Sequence, residues 1–309
     1  MRNDVNSRGL HGVLLVNKPV GMSSARVVSH VKKSLGGPKI GHLGTLDPFA
    51  SGLLPLCLGE ATKAAPWLNL ASKRYKGTIA LGKRTDTLDR TGTVTEVAPV
   101  PEFGPEALRA LEQNFSGPMQ QLPPAFSAIK KDGVPMYKRA RRGETPELEP
   151  RPVTIYELEL SVLSESSLGF SVHCSKGTYI RSLARDIGDS LGCGACLDSL
   201  VRTAFGRFRL ADAIDLEALE GGATPLELGD GIIPLSRALG HLRMIDTDSG
   251  TAAELRMGRQ AACVKLTGPE SSETACVTCG SDFVAVVSEK LGRWSLERVF
   301  NPQLATRAG

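Results

Sequence analysis

The sequence lacks any uninterrupted apolar run approaching the length of about 20 residues that a membrane-spanning helix requires, which excludes that class. Its opening segment, MRNDVNSRGLHG, is polar and has no apolar signal-peptide core. Cysteine is present but forms no framework. Seven residues, an odd count at irregular spacing, argue against a disulfide-stapled secreted fold and for a reducing compartment. A soluble, cytoplasmic protein is therefore expected. Charge of one sign is also in short supply. Lys and Arg total 37 and Asp and Glu total 33, so the formal net charge is +4. That excess is too small to prove a polyanionic partner, and the distribution of charge matters more than its sum. No internal repeat and no low-complexity tract is found.

What is present suits a globular chain. Hydrophobic residues make up 41% of 309 residues, enough for one large domain and a small one. Residues 1–11 read as a flexible leader. Gly12 to Val16 is a short β-rich run that Asn17-Lys18-Pro19 ends. Ser23-Ser24 offers an N-cap for a helix through Val27, Val28 and Val31, and Gly36-Gly37-Pro38 stops it. Tyr75 to Leu81 reads as a strand, and Thr91-Gly92 precedes a second run at Thr93 to Val97, as in a hairpin. Pro105 opens a helix with Leu108, Leu111 and Phe115 at helical spacing. Val153 to Val162 and Phe170 to Cys174 read as strands, and Tyr179 to Leu191 as an amphipathic helix. A Gly-rich patch lies at 221–231, and a domain boundary falls near 243–248. Strands and helices alternate without a βαβ cadence, which predicts an α+β fold.

The densest chemistry is in residues 41–63, GHLGTLDPFASGLLPLCLGEATK. Asp47-Pro48 sets a carboxylate at a turn, because proline fixes its own backbone and keeps the preceding residue out of the helix. Gly41, Gly44 and Gly52 allow tight turns and close approach of the backbone. His42 stands five residues before the carboxylate. On local chemistry alone, Asp47 is as well explained as a helix N-cap with Pro48 at the first helical position, and His42 as a core or surface histidine.

This string resembles the catalytic motif of the TruB family of pseudouridine synthases. The likeness extends to GVLLVNKPVGMSSARVV, KRYKGTIALGKRTDTLDRTGTV, LPPAFSAIKKDGVPMYKRARRGE and CSKGTYIRSLARDIGDSLGCGACLDSLVRTAFGRF, in order along residues 12–208. It implies the pseudouridine synthase fold, with a mixed, mainly antiparallel sheet flanked by helices and loops. It also implies isomerisation of uridine 55 in the tRNA T loop, with no metal or organic cofactor and no obligate protein partner. A monomer that makes no contact with membranes is expected.

In that likeness Asp47 is the essential aspartate, free to act as nucleophile, base or electrostatic stabiliser. Tyr75 stacks on the flipped uracil, Tyr179 is a second active-site tyrosine, and Arg181 pairs with Asp47. Leu200 lines the uracil pocket, His42 wedges into the T loop, and Lys18 supports the site or contacts RNA. Lys130, Lys131, Lys138, Arg139, Arg141 and Arg142 belong to an RNA-gripping insertion at about 123–150, suited to phosphate contact.

Some features depart from the likeness or compete with it. Leu43 stands where the family usually has threonine, a change for local packing to absorb. Asp86 and Asp89 are read as structural in preference to a metal pair. Cys193/Cys196 and Cys276/Cys279 offer four thiolates, but no zinc site is expected. Residues 12–245 form the expected catalytic domain. Residues 246–309 match the family poorly, and by position resemble a small β-rich PUA-like domain that contacts the acceptor end. One other function remains open, a tRNA-binding or folding chaperone acting through the T loop; the bacterial-style N-terminal run and compact C-terminus argue against a third, a synthase within a guide-RNA complex.

Overall fold

Two continuous apolar runs make the centre of the molecule. The computed structural model describes residues 10–36, 39–126, 148–217, 231–270 and 273–301, with the backbone of 130–131 and 134–135. In it, β1 (Gly12–Lys18) lies antiparallel to β3 (Ser51–Leu58) along its whole length. Every second side chain of a strand points to the same face. Val13, Leu15, Leu53 and Cys57 therefore face one way, and Leu14, Val16, Leu54, Leu56 and Leu58 the other. A strand that is apolar on both faces must be covered on both, and these two are.

Helix α1 (Ser24–Ser34) covers the second face with Val27 and Val31. Its N-cap is Ser23, whose Oγ accepts from Arg26 N–H at 3.2 Å. The short β2 (Ile40–His42) pairs with the far end of β3. Strand β1 ends at Lys18, two residues later than the sequence indicates, because Asn17 and Lys18 still pair with Leu53 and Gly52. Ahead of β1, His11 Nδ1 accepts from Glu60 N–H at 3.0 Å. Residues 1–9 lie outside the described residues.

The sheet continues through β4 (Lys73–Leu81), β7 (Gly117–Gln121), β10 (Arg151–Ser164), β11 (Ser167–Cys174) and β12 (Ala195–Phe205). With the two-residue β14 (Ile214–Asp215) at its edge, the order is β14-β1-β3-β12-β4-β11-β10-β7. The β1–β14 and β3–β12 contacts are parallel and the other neighbours on this path are antiparallel. The sheet is thus mixed and mainly antiparallel; the two-residue β13 (Phe208–Arg209) and β15 (Ile232–Ile233) pair with β12 and β1 off this path, and β8 (Lys130–Lys131) pairs with β9 (Val134–Pro135) apart from it.

Between β4 and β7 lie the hairpin β5 (Lys83–Thr85) and β6 (Val94–Val97) and the helix α3 (Pro105–Asn114). The four-residue α2 (Ala65–Leu68) precedes β4. Helix α4 (Ile180–Ser190) packs Ile180, Leu183, Ala184 and Ile187 onto β4, β11 and β12. Tyr179 is its N-cap position and not its first residue.

A second, four-stranded sheet is formed by β16 (Arg243–Asp246), β17 (Thr274–Cys279), β18 (Asp282–Lys290) and β19 (Arg293–Val299). Its own core includes Ile245, Leu255, Val284 and Trp294. Its other side enters the first core: Cys276, Phe283, Val286 and Phe300 pack with Val13, Leu53 and Phe205.

Candidate active site

Four side chains reach one cavity from alternate positions of two adjacent strands. On β4 they are Lys73 and Tyr75, and on β12 Leu200 and Arg202. Tyr75 stands directly opposite Arg202 in the ladder and Gly77 opposite Leu200. The cavity has a volume of about 330 Å³, at the small end of ligand sites. Gly44, Thr45, Leu46 and Asp47 form one wall, and Lys176 to Arg181 another.

Asp47 sits in the loop between β2 and β3, and it caps no helix. Three ties set the loop. Ser24 Oγ, in the first turn of α1, donates to Leu46 O at 3.0 Å and accepts from Leu46 N–H at 2.9 Å. Gly21 N–H donates to Pro48 O at 2.7 Å, and Ala50 N–H closes the turn on Asp47 O at 3.1 Å. Arg181, on the first turn of α4, meets the carboxylate with two donors. Its Nε lies 2.9 Å from Oδ2 and its Nη2 3.2 Å from Oδ1. This is the forked geometry in which guanidinium and carboxylate bind most specifically.

The guanidinium is itself fixed. Nη1 donates to Thr87 O and Nη2 to Phe126 O, both at 2.9 Å, and Asp89 Oδ2 lies 3.6 Å from Nη1. Asp89 is buried and accepts from Thr91 N–H at 2.9 Å and Thr87 Oγ1 at 3.0 Å. Asp86 accepts from Thr93 N–H at 2.8 Å. Both aspartates thus order the loop after β5. Burial pushes the Asp47 carboxyl above its ordinary pKa, and the Arg181 charge opposes that rise.

The other expected residues divide. Tyr75 is 8% exposed, and burial raises its phenol pKa, so it stays protonated. Tyr179 and Leu200 line the cavity. His42, on β2, is half-buried but is not among the lining residues, and its Nδ1 has no hydrogen-bond partner among the described residues. Burial and the nearby Arg202 lower its pKa.

Lys18, expected to support the site or to contact RNA, is fully buried. Its Nζ donates to Pro19 O (2.8 Å), Met22 O (2.6 Å) and Pro48 O (3.4 Å), binding the end of β1 to the Asp47 turn from beneath. Burial, the largest influence, brings its pKa down to about 8. The side chains of Lys130, Lys131, Lys138, Arg139, Arg141 and Arg142 lie outside the described residues.

Sequence reasoning does not single out Arg202 or Gln121. Arg202 is 1% exposed and bonds Leu53 O at 2.7 Å and Gly44 O at 3.0 Å through its guanidinium. It thereby clamps β3 and the Asp47 loop to β12. Gln121 donates to Tyr179 O at 3.1 Å and accepts from Tyr179 N–H at 2.8 Å, fixing the start of α4 from β7. Arg202 has a signal: it stands two residues after Leu200, hence on the same strand face.

Comparison with known proteins bears on this geometry. The model described as "TruB family pseudouridylate synthase (N terminal domain)" matches residues 32–180, and that described as "tRNA pseudouridylate synthase B C-terminal domain" matches 181–239. The tRNA pseudouridine synthase B of Azoarcus sp. (strain BH72) is 42% identical over 311 residues, all of both chains. The chain belongs to the TruB family. A relative of the same name from Geobacter sulfurreducens is 39% identical, covering 94% of this chain and all of its own. Among solved structures, a Cbf5-Nop10-Gar1 complex matches with a TM-score of 0.72 at 24% identity, covering 98% of this chain and 88% of that one. That likeness shows the fold: the pseudouridine synthase fold.

The junction of the two TruB models falls between Ile180 and Arg181, inside α4. It is no physical boundary, since β12 from the second model pairs with β4 from the first. Leu43 is fully buried in the cluster of Val13, Leu53 and Phe205. Cys276 and Cys279 contribute to different cores on the two sides of β17. Burial pushes the Cys276 thiol up to about 12.

Proposed function

We propose that this TruB-family chain isomerises uridine 55 in the T loop of tRNA to pseudouridine, with Asp47 as the reacting carboxylate. The observation that carries this reading is the Asp47–Arg181 fork in the wall of a cavity lined by Tyr75, Tyr179 and Leu200. A base inside a folded T loop is inaccessible to such a cavity, so it has to be turned out of its stack. Aromatic faces and Leu200 then supply sequence-tolerant stacking and apolar contact.

The reaction breaks N1–C1′, rotates the uracil and forms C5–C1′. N1 gains a proton and C5 loses one, so atoms and electrons balance without a second substrate. Among the lining residues Asp47 is the sole carboxylate. Among the described residues no second carboxylate lines the cavity to make a paired acid and base of the glycosidase kind, and Asp47 supplies the anionic chemistry. Arg181 keeps it ionised against its burial and aims both oxygens. Tyr75, protonated and buried, offers a ring face and a hydroxyl donor.

Further parts of the reading follow from the same family. His42 enters the T loop, the basic stretch from Lys130 to Arg142 grips phosphates, and the sheet after Arg243 is a PUA-like unit directed at the acceptor end. The protein acts as a cytoplasmic monomer on the isolated T arm. A chaperone acting by binding alone gives no reason for a carboxylate forked to a buried arginine. The test is a site-resolved map of pseudouridine in tRNA from cells lacking the protein. Loss confined to the T-loop position supports the reading; an unchanged T loop overturns it.

A further inference from the structure

The Asp47 cavity holds more positive charge than negative. Lys73, Lys176, Arg181 and Arg202 all line it against the single carboxylate of Asp47. Arg181 has its counter-charges in Asp47 and Asp89. Among the described residues, no ion pair joins Lys73, Lys176 or Arg202 to a carboxylate.

Two of these three cations are buried, Lys73 at 8% exposure and Arg202 at 1%. An unpaired buried cation is costly, and here backbone carbonyls, one ring and, for Arg202, the Tyr75 hydroxyl offset only part of that. Lys73 Nζ donates to Asn69 O at 3.2 Å and to Ala71 O, and lies 4.5 Å from the Phe205 ring centroid. An ammonium has three donors, so one remains. Arg202 is held by the carbonyls of Leu53 and Gly44 and lies 5.4 Å from the same ring. Lys176 projects from the exposed turn after β11. Burial first, and then the charges of Arg202 and Lys176, bring the Lys73 ammonium down to about 8. Three like charges held together in this way form a repulsive cluster that an anion would relieve.

We propose that Lys73 and Lys176, with the field of Arg202 added to theirs, form a subsite for one phosphodiester group of the RNA at the edge of the Asp47 cavity. This rests on the reading that the cavity takes a nucleotide. A flipped nucleotide carries a phosphate on either side of its ribose, so a base lying against Tyr75 brings an anion to this edge. A phosphate contact carries no sequence information but fixes register. The subsite would select which nucleotide along the strand is presented to Asp47.

The test uses the full-length protein and a T-arm hairpin in which each phosphate flanking the target uridine is replaced, one at a time, by a neutral methylphosphonate. Affinity is measured for wild type, Lys176→Ala and Lys176→Glu; Lys176 is exposed, so its variants keep the fold. One of the two replacements is expected to weaken wild-type binding about tenfold. Lys176→Ala should weaken the all-phosphate hairpin comparably and lose little more on that methylphosphonate. Lys176→Glu should be weaker still on phosphate but no worse than Ala on the neutral linkage. The slope of log K against log salt should be shallower by about 0.7 for Lys176→Ala. Additive losses, or no loss at either linkage, overturn the subsite. Additive losses with normal conversion of the hairpin overturn the subsite alone. A non-additive pair without conversion keeps the subsite and overturns the reaction. A hairpin that does not bind overturns both.

Discussion

Burial and a neighbouring charge act on Asp47 in opposite directions, and its working pH range is set by which is stronger. Burial raises the carboxyl pKa and Arg181 lowers it. Arg181→Met removes the lowering influence, so the acid limb of the kcat/KM profile should move to higher pH. The loss of the fork should also cost on the order of 100-fold in kcat. An unshifted limb would mean that Arg181 does not hold the reacting group.

Lys18 makes a different prediction because its amine is sealed from solvent. Lys18→Met should lower stability by about 1–3 kcal/mol through unsatisfied carbonyls and reduce kcat, while tRNA affinity stays unchanged. Its folded pKa of about 8 lies below the ordinary 10.5. Between those values the unfolded chain binds the extra proton, so this lysine's contribution to stability improves as pH rises from about 8 to 10.5. Thermal melts of both proteins across that range should show a shallower slope in Lys18→Met than in wild type, the remainder coming from Lys73, whose pKa is also brought down to about 8. The expected pairing of Arg181 with Asp47 rests on the family resemblance and not on local chemistry, and Arg202 lies in the same motif string without being singled out. An arginine in a strand reads as a solvent-facing cation until its cross-strand neighbour is known.

At the scale of elements, the site depends on how closely β3 and β12 meet. Gly52 has φ +98°, and a Cβ there would lie 2.5 Å from Arg202 O and 2.8 Å from Arg202 N. Gly52→Ala should therefore strain the turn, push the two strands apart and cost about 1–3 kcal/mol, with kcat falling as Arg202 loses its hold on Leu53 and Gly44. A variant with wild-type melting temperature and kcat would contradict that junction. The helices are legible in local sequence signals: Ser23 caps α1, Pro105 opens α3, and α4 carries Ile180, Leu183, Ala184 and Ile187 on one face. Strands β3 and β12 are harder to read. Gly52 and Pro55 interrupt the first, and Asp198, Ser199, Arg202 and Thr203 break the apolar pattern of the second. Their pairing is long-range, and local periodicity carries no record of it.

Over the whole molecule, the second sheet is more than an appendage. Lys63 Nζ reaches Val299 O at 3.3 Å, Asn301 N–H reaches Glu60 at 2.6 Å, and Phe283, Val286 and Phe300 share a core with Val13 and Phe205. Removing residues 243–309 should expose that apolar face and lower the melting temperature or drive aggregation, whereas an unchanged melt would establish an independent catalytic unit. A change in sequence pattern marks residues 243–248, but the shared core is not visible there, since it joins residues as far apart as Val13 and Phe300. The proposed reaction brings one carboxylate to one nucleotide. Its most direct test is to incubate unmodified tRNA with purified wild type or Asp47→Ala and map every uridine. One pseudouridine per tRNA, in the T loop, is expected from wild type, and none from Asp47→Ala although that variant still binds. Wild type that binds the tRNA and leaves its T-loop uridines intact, or Asp47→Ala that converts them at the wild-type rate, would contradict it.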